Sequence, residues 1–519
     1  MRIIFKITLI PVLLLLARGT MAQEAKRAEM VIIEKQPVAD QHNGYYINPI
    51  LAGDYGDPSI VLVGKTYTIA KSYGDGIVVW NSYDLVNWKP VLRRPFSNGI
   101  SGVWAVDLQY FNGKYHLYIP VGSHPGKKPG SYTNMVMIAE KPEGPWSDPE
   151  SLEIMAPQGV HFPAIDPGFI ITPEGKKYLY VSQGYVVELN DAGTKAVNTP
   201  WKVYDGWEYP AEWNVQCMCL ESPKLFTKDG YYYLVSAEGG TSGPSTAHMT
   251  VVARSKSATG PWENSPYNPL THTYSPEEKW WQQGHGTIFK GIDGSWWTIY
   301  HARLNNYEGL GRQVLLMPVG WTADGWPVIK NGMQSHELIP IPSGENIGHG
   351  NVISDDFQSN EPGFQWIIPD KNKADIHFGN GKLTLQAKGT TRQDWNSLSV
   401  RAVNKSFEVT VEVLCSEISA QAGIETGNSG IETNGQFAYF SEGPEWRMRD
   451  VNEQLKEKGR VFMKIKNFRK DISFYYSNDC KNWISFGKGL RLADGYNIVL
   501  FAKGKGTVSF ANFKYQGLE

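Results

Sequence analysis

Hydrophobic and polar positions alternate along this chain in short runs, and the runs recur. A turn glycine followed by an aromatic or β-branched strand appears at Gly64 (GKTYTIA), Gly113 (GKYHLYI), Gly175 (GKKYLYV), Gly230 (GYYYLVS) and Gly294 (GSWWTIY). A second pattern interleaves with the first: VVWNSYDLVNW, MVMIAEKPEGPWSDP and VVARSKSATGPWENSPYNP. Each reads as a strand, a polar turn and a closing tryptophan, at Trp88, Trp146 and Trp262. A unit of this size cannot bury both faces of its sheet alone, so the units must stack radially. Steps of about fifty to sixty-five residues leave room for four strands and working loops, and five occurrences predict five blades. Helical periodicity is almost absent, which makes the chain all-β.

The pattern changes after PVGWTADGWPVIKNG. We place the blades in residues 23–340 and a Pro-, Gly- and Ser-rich linker at 341–352. Over 353–519 the strands GKLTLQAKG, SFEVTVEVLCS, VFMKIKNFRKDISFYYS and NIVLFAKGKGTVSFANFKY alternate as in a β-sandwich with one wet face per sheet. The motif SNDCKNW, ending at Trp483, resembles NSYDLVNW, ending at Trp88, and both read as Asp-anchored structural turns. The sandwich is expected to brace the blades rather than to shape a site.

With 519 residues the chain exceeds one ordinary domain. Its net charge of -2 and the lack of a dense basic stripe argue against nucleic acid as a partner. At the amino terminus, Arg2 and Lys6, an apolar run from Ile7 to Ala17 and the small-x-small site Thr20-Met21-Ala22 read as a signal peptide over residues 1–22. That run is too short for a membrane span, and no later stretch is long enough, so export to the periplasm or the medium is expected. Cys217 and Cys219 would point to one face of a strand, which makes a mutual disulfide awkward; they read as small buried hydrophobes.

The candidate chemistry lies in three carboxylates just ahead of prolines: Asp57 in NPILAGDYGDPSIV, Asp166 in FPAIDPGFI and Glu221 in CLESPKLF. Proline disfavours a helix at the preceding residue, so such acids belong at strand starts or turns. Three acids at the rims of three strands can converge on one pocket. Two would then act as general acid and base across a glycosidic bond, with the third tuning them. The alternative is ordinary turn chemistry, as at Asp148-Pro149 and Glu361-Pro362.

These residues, with GVWAVDLQYFNGKYHLYI, AIDPGFI, CLESPKLFTKDGYYYLVSAEGGT, GHGTIF and LGRQVLLMPVGWTADGWPV, resemble glycoside hydrolase family 43 in order and spacing. The resemblance implies a five-bladed β-propeller with its site at one end of the central channel. It also implies a C-terminal concanavalin A-like sandwich of the xylosidase and arabinofuranosidase branch. Carried over residue by residue, Asp57 is the general base, Glu221 the general acid, and Asp166 orients Glu221 and keeps its pKa high. Trp104 and Arg312 match substrate contacts, and His285 in GHG matches a histidine near the channel axis, sometimes beside a calcium ion. No cofactor is required for the chemistry. Gly56, Val106 and Ser222 depart from the usual proline, proline and glycine and leave the pocket's shape open. The implied activity is exo-acting, inverting removal of terminal α-L-arabinofuranosyl or β-D-xylosyl units from plant hemicellulose or pectin side chains. The alternatives are a non-catalytic sugar-binding propeller or an enzyme acting on galactan.

Overall fold

The computed structural model describes residues 34–519 except 75, 97–98, 125–131, 161, 370–371, 373–374, 428, 443–446, 449–452 and 489–494. Residues 1–22, read above as a signal peptide, lie outside the described residues. Five antiparallel sheets follow one another between Ser59 and Ile329. Their first strands are Ser59–Val63, Asp107–Phe111, Gly168–Ile171, Glu221–Lys228 and Trp280–Lys290. These strands pack against one another in cyclic order, the fifth against the first, which makes a closed five-bladed propeller. Four blades have four strands; the second has a fifth, Ser101–Val103, because its inner edge breaks at residues 104–106.

The repeated glycines occupy one structural position. Gly64, Gly113, Gly175, Gly230 and Gly294 all turn the first strand of a blade into the second, each with φ between 60° and 85°. Left-handed backbone at a tight hairpin is what glycine supplies without steric cost. Trp88 and Trp146 are buried at the turn between third and fourth strands. The Asp-anchored turns share one hydrogen-bond pattern. Asp84 Oδ1 accepts the amides of Val86 (3.0 Å) and Asn87 (2.7 Å), as Asp479 Oδ1 accepts those of Lys481 (2.9 Å) and Asn482 (2.8 Å).

One buried ion pair joins four blades. Lys224 Nζ lies 2.8 Å from Asp107 Oδ1, with the side chains 6% and 1% exposed. Its other hydrogen bonds go to the carbonyls of Val106 (3.2 Å) and Pro167 (2.9 Å). Asp107 in turn accepts from Ser59 Oγ (3.2 Å) and the Phe169 amide (3.0 Å). The segment leading into the first blade is tied to the segment leaving the last by pairing of Tyr45–Tyr46 with Ile339–Pro340.

Beyond the propeller, two seven-stranded antiparallel sheets span Ile376–Gly379 to Gly506–Gly517. Strict alternation in Arg460–Phe468 buries one face of that strand, as a sandwich requires. The sandwich is not a detached appendage. One continuous apolar cluster runs from Tyr46, Trp88 and Leu315 in the propeller to Trp366, Leu383 and Phe510 in the sandwich.

Two outcomes follow. Lys224→Met leaves Asp107 buried without its cation and should cost about 3–5 kcal/mol, read as a lowered unfolding midpoint. Scanning calorimetry should show one endotherm for propeller and sandwich; two well-separated endotherms would contradict a shared core.

Candidate active site

The acids stand where the blades begin. Asp57 and Asp166 each sit two residues before the first strands of blades one and three, and Glu221 is the first residue of blade four. Asp57 and Asp166 adopt left-handed backbone, with φ of 59° and 53°, rather than the extended form that a following proline favours. Such backbone is strained for a non-glycine residue, and aspartate tolerates it better than most. All six residues singled out in the sequence, Asp57, Trp104, Asp166, Glu221, His285 and Arg312, line a single cavity of about 640 Å³.

Asp57 is buried, and its Oδ1 accepts from Arg312 Nη1 at 2.6 Å. His301 Nδ1 lies 3.1 Å from the same oxygen and His285 Nδ1 3.3 Å away. Gly56 has a reason to lack a side chain: a Cβ there would lie 2.6 Å from Arg312 Nε and 2.9 Å from its Cβ. Across the cavity Asp166 Oδ2 accepts the amide of Ser222 at 3.2 Å, which ties it to the residue after Glu221. The break in blade two presents Trp104, a residue 45% exposed whose amide donates to the Pro120 carbonyl (3.1 Å).

The environment separates the carboxyls electrostatically. Burial raises the pKa of Asp57, but Arg312, His285 and His301 outweigh it and hold the group well below the usual carboxylate range. Burial raises Glu221 well above its ordinary value, and the charges of Asp166 and Asp57 add to the effect. Asp166 is itself raised to about 7, by burial and then by Asp57. The cavity therefore holds one persistently charged carboxylate facing a pair that retains a proton. This combination suits general acid and base work on one substrate.

His248 and His301 escaped the sequence reading. Burial pushes His285 down to about 3 and His301 to about 4, and His248 well down, so the three rings are neutral. Their signal was weak: His301 precedes Arg303 by two on one strand, and His248 stands in an ordinary strand start. Asp57, His285 and His301 can each direct a ligand atom within 4.8 Å of the others, as can Glu221, His248 and His285. Most of these donors are imidazole nitrogens, whereas calcium takes six to eight oxygens. The side chains do not fit calcium, and no step below passes through a metal.

Two expectations are corrected. Cys217 and Cys219 form a disulfide with Cα atoms 5.3 Å apart, and neither is fully buried. The segment is not a strand, and a left-handed φ of 41° at Cys219 removes the alternation that kept the thiols apart. The sandwich, for its part, does more than brace. Arg401 on its strand Asn396–Arg401 reaches the same cavity, donating to the Gly309 carbonyl at 2.8 Å.

The family described as Glycosyl hydrolases family 43 matches residues 46–327. A non-reducing end alpha-L-arabinofuranosidase of Bacteroides ovatus is 34% identical over 62% of this chain and 60% of its own length. A xylan 1,3-beta-xylosidase of a Vibrio species is 33% identical over 55% of this chain and 57% of its own. The chain thus spans about 60% of the length of the curated relatives it matches. Among solved structures, a GH43 protein of Bacillus licheniformis is similar with a TM-score of 0.77 and 26% identity, covering 91% of this chain and all of that one. Among the described residues, no helix is long and apolar enough to cross a membrane.

Arg312→Met removes the guanidinium that holds Asp57 charged. The acidic limb of the kcat/KM profile should then move up by about 1–3 pH units. Gly56→Ala, by displacing Arg312, should move it the same way. An acidic limb unchanged in both variants would remove Arg312 from this role.

Proposed function

The chain belongs to glycoside hydrolase family 43, and on that premise we propose that it is an exo-acting, inverting glycosidase. It removes terminal α-L-arabinofuranosyl or β-D-xylosyl units from plant hemicellulose or pectin side chains. One observation carries the reading: a charged carboxylate, Asp57, and a proton-holding one, Glu221, line the same cavity. In an inverting hydrolysis, water attacks the anomeric carbon as the bond to the leaving oxygen breaks. Asp57 takes the proton of that water, and Glu221 gives its proton to the leaving oxygen. The two carboxyls stand about 6.5–9.5 Å apart in such sites, which leaves room for the water. Asp166 acts on Glu221 rather than on substrate: its negative charge keeps the Glu221 proton in place, and its bond to Ser222 fixes the backbone beside it.

Trp104 offers a flat, partly exposed face for a five-carbon ring. Arg312 is placed to contact sugar hydroxyls while it pairs with Asp57. His285 lies beside Asp57 as a neutral positioning group. The reaction draws on carboxyl groups and water and needs no cofactor; a calcium ion near His285 would have to keep water as most of its ligands. The relative named as a non-reducing end arabinofuranosidase supports an exo mode and, between the two pentoses, arabinose. The charged start and apolar run of residues 1–22 support export to the periplasm or medium.

Side-by-side assays of aryl α-L-arabinofuranoside and aryl β-D-xyloside should show turnover of at least one, the first preferred. Cleavage of a galactan oligomer with neither pentoside touched would overturn the pentose assignment. Glu221→Ala should lower turnover by about 10²–10⁴-fold while pentose binding persists. The rate should also fall at alkaline pH, because activity requires the proton that the raised Glu221 pKa retains.

A further inference from the structure

The wall of the cavity formed by blade five and the sandwich carries more positive charge than the chemistry uses. Arg303, on strand Trp296–Leu304, lies directly opposite Arg312, on strand Arg312–Trp321. Like charges directly opposite on an antiparallel pair are destabilising. Arg401 brings a third guanidinium to the same cavity from the sandwich. Two of the three have carboxylate neighbours. Arg312 is bound to Asp57, and Arg401 Nη2 lies 3.8 Å from Asp54 Oδ2, an acid already beside Arg312, whose amide it accepts at 3.0 Å.

Arg303 has no such partner. Its Nε donates to the amide oxygen of Gln282 (3.0 Å) and its Nη1 to the Glu308 carbonyl (3.4 Å), both neutral oxygens. Among the described residues, no carboxylate comes within 4 Å of it. The Glu308 carboxylate, which also lines the cavity, lies toward Lys470 at 4.0 Å. Burial lowers the pKa of Arg303, and Arg312 and Arg401 lower it further against the pull of Asp54 and Glu308. A half-buried guanidinium crowded by two others, with two neutral hydrogen-bond acceptors, is a site built to receive an anion.

We propose that Arg303 and Arg401 form a leaving-group subsite that recognises a carboxylate, so that the preferred substrate is a pentosyl unit linked to a uronate-bearing sugar. The inference rests on the pentosidase reading above. Asp57, Glu221 and Trp104 line the same cavity as Arg303 and Arg401, so a sugar cleaved there has its leaving group within the one enclosure that the guanidiniums share. Arginine suits the planar carboxylate of a uronic acid because its fork makes two parallel charge-assisted bonds.

The test measures kcat/KM of the full chain on paired oligosaccharides with the same pentosyl linkage, one with a uronate next to the scissile bond and one with its methyl ester. The acidic substrate should be preferred about tenfold or more, and the preference should shrink as salt is added. Arg303→Gln should bring the ratio toward one, and Arg303→Lys should keep part of it. Because the methyl-ester comparison is made on the unaltered protein, a variant that fails to fold does not cloud the result. Brisk cleavage of both substrates at equal efficiency would overturn the carboxylate subsite and leave the pentosidase reading intact. Cleavage of neither, with aryl pentosides also untouched, would overturn both.

Discussion

Nearly every feature of the site traces back to the Asp107–Lys224 pair buried under it. Burying two charges is costly unless their hydrogen bonds are satisfied, and here the lysine's three donors all find oxygen. Each of those bonds ends close in sequence to a group in the cavity. Val106 follows Trp104 by two residues, Pro167 follows Asp166 directly, Lys224 itself follows Glu221 by three, and Ser59, which donates to Asp107, follows Asp57 by two. One cation therefore sets the relative positions of groups drawn from four blades. The tolerance required of a catalytic arrangement, about half an ångström, is more readily met from one shared anchor than from independent loops.

Above that anchor the electrostatics divide into two halves. Arg312 above all keeps Asp57 charged despite its burial, while burial and mutual repulsion raise Glu221 and Asp166 more than Lys224 and Arg312 lower them. The protein sets two similar carboxyl groups to opposite protonation states by their surroundings. Gly56 belongs to the same arrangement, since the missing side chain is the space through which Arg312 reaches the aspartate.

Much of this was legible in the chain, and the reason is locality. The hairpin glycines and the Asp-anchored turns encode their geometry within a few residues, so strand order and blade number could be read directly. The acids were legible because each stands beside a proline at a strand start. What escaped depends on distant contacts or on a single dihedral. Lys224 reads as a routine lysine in ESPKLFTK until blade two supplies Asp107. Arg401 reads as an edge residue of the sandwich until the propeller is docked against it. A bond between Cys217 and Cys219 looked awkward because a regular strand was assumed where the backbone turns left-handed.

That disulfide closes a loop only two residues before Glu221. Gln216, beside the bridge, also accepts the amide of Ser242 at 2.9 Å, next to the cavity residue Thr241. Glu221 thus enters its strand from a covalently clipped segment, and the clip exists only where thiols can oxidise. Recombinant material made in a glutathione-rich cytosol would carry the same amino acids with that clasp undone. Preparations of identical sequence would then differ in specific activity according to the compartment in which they folded.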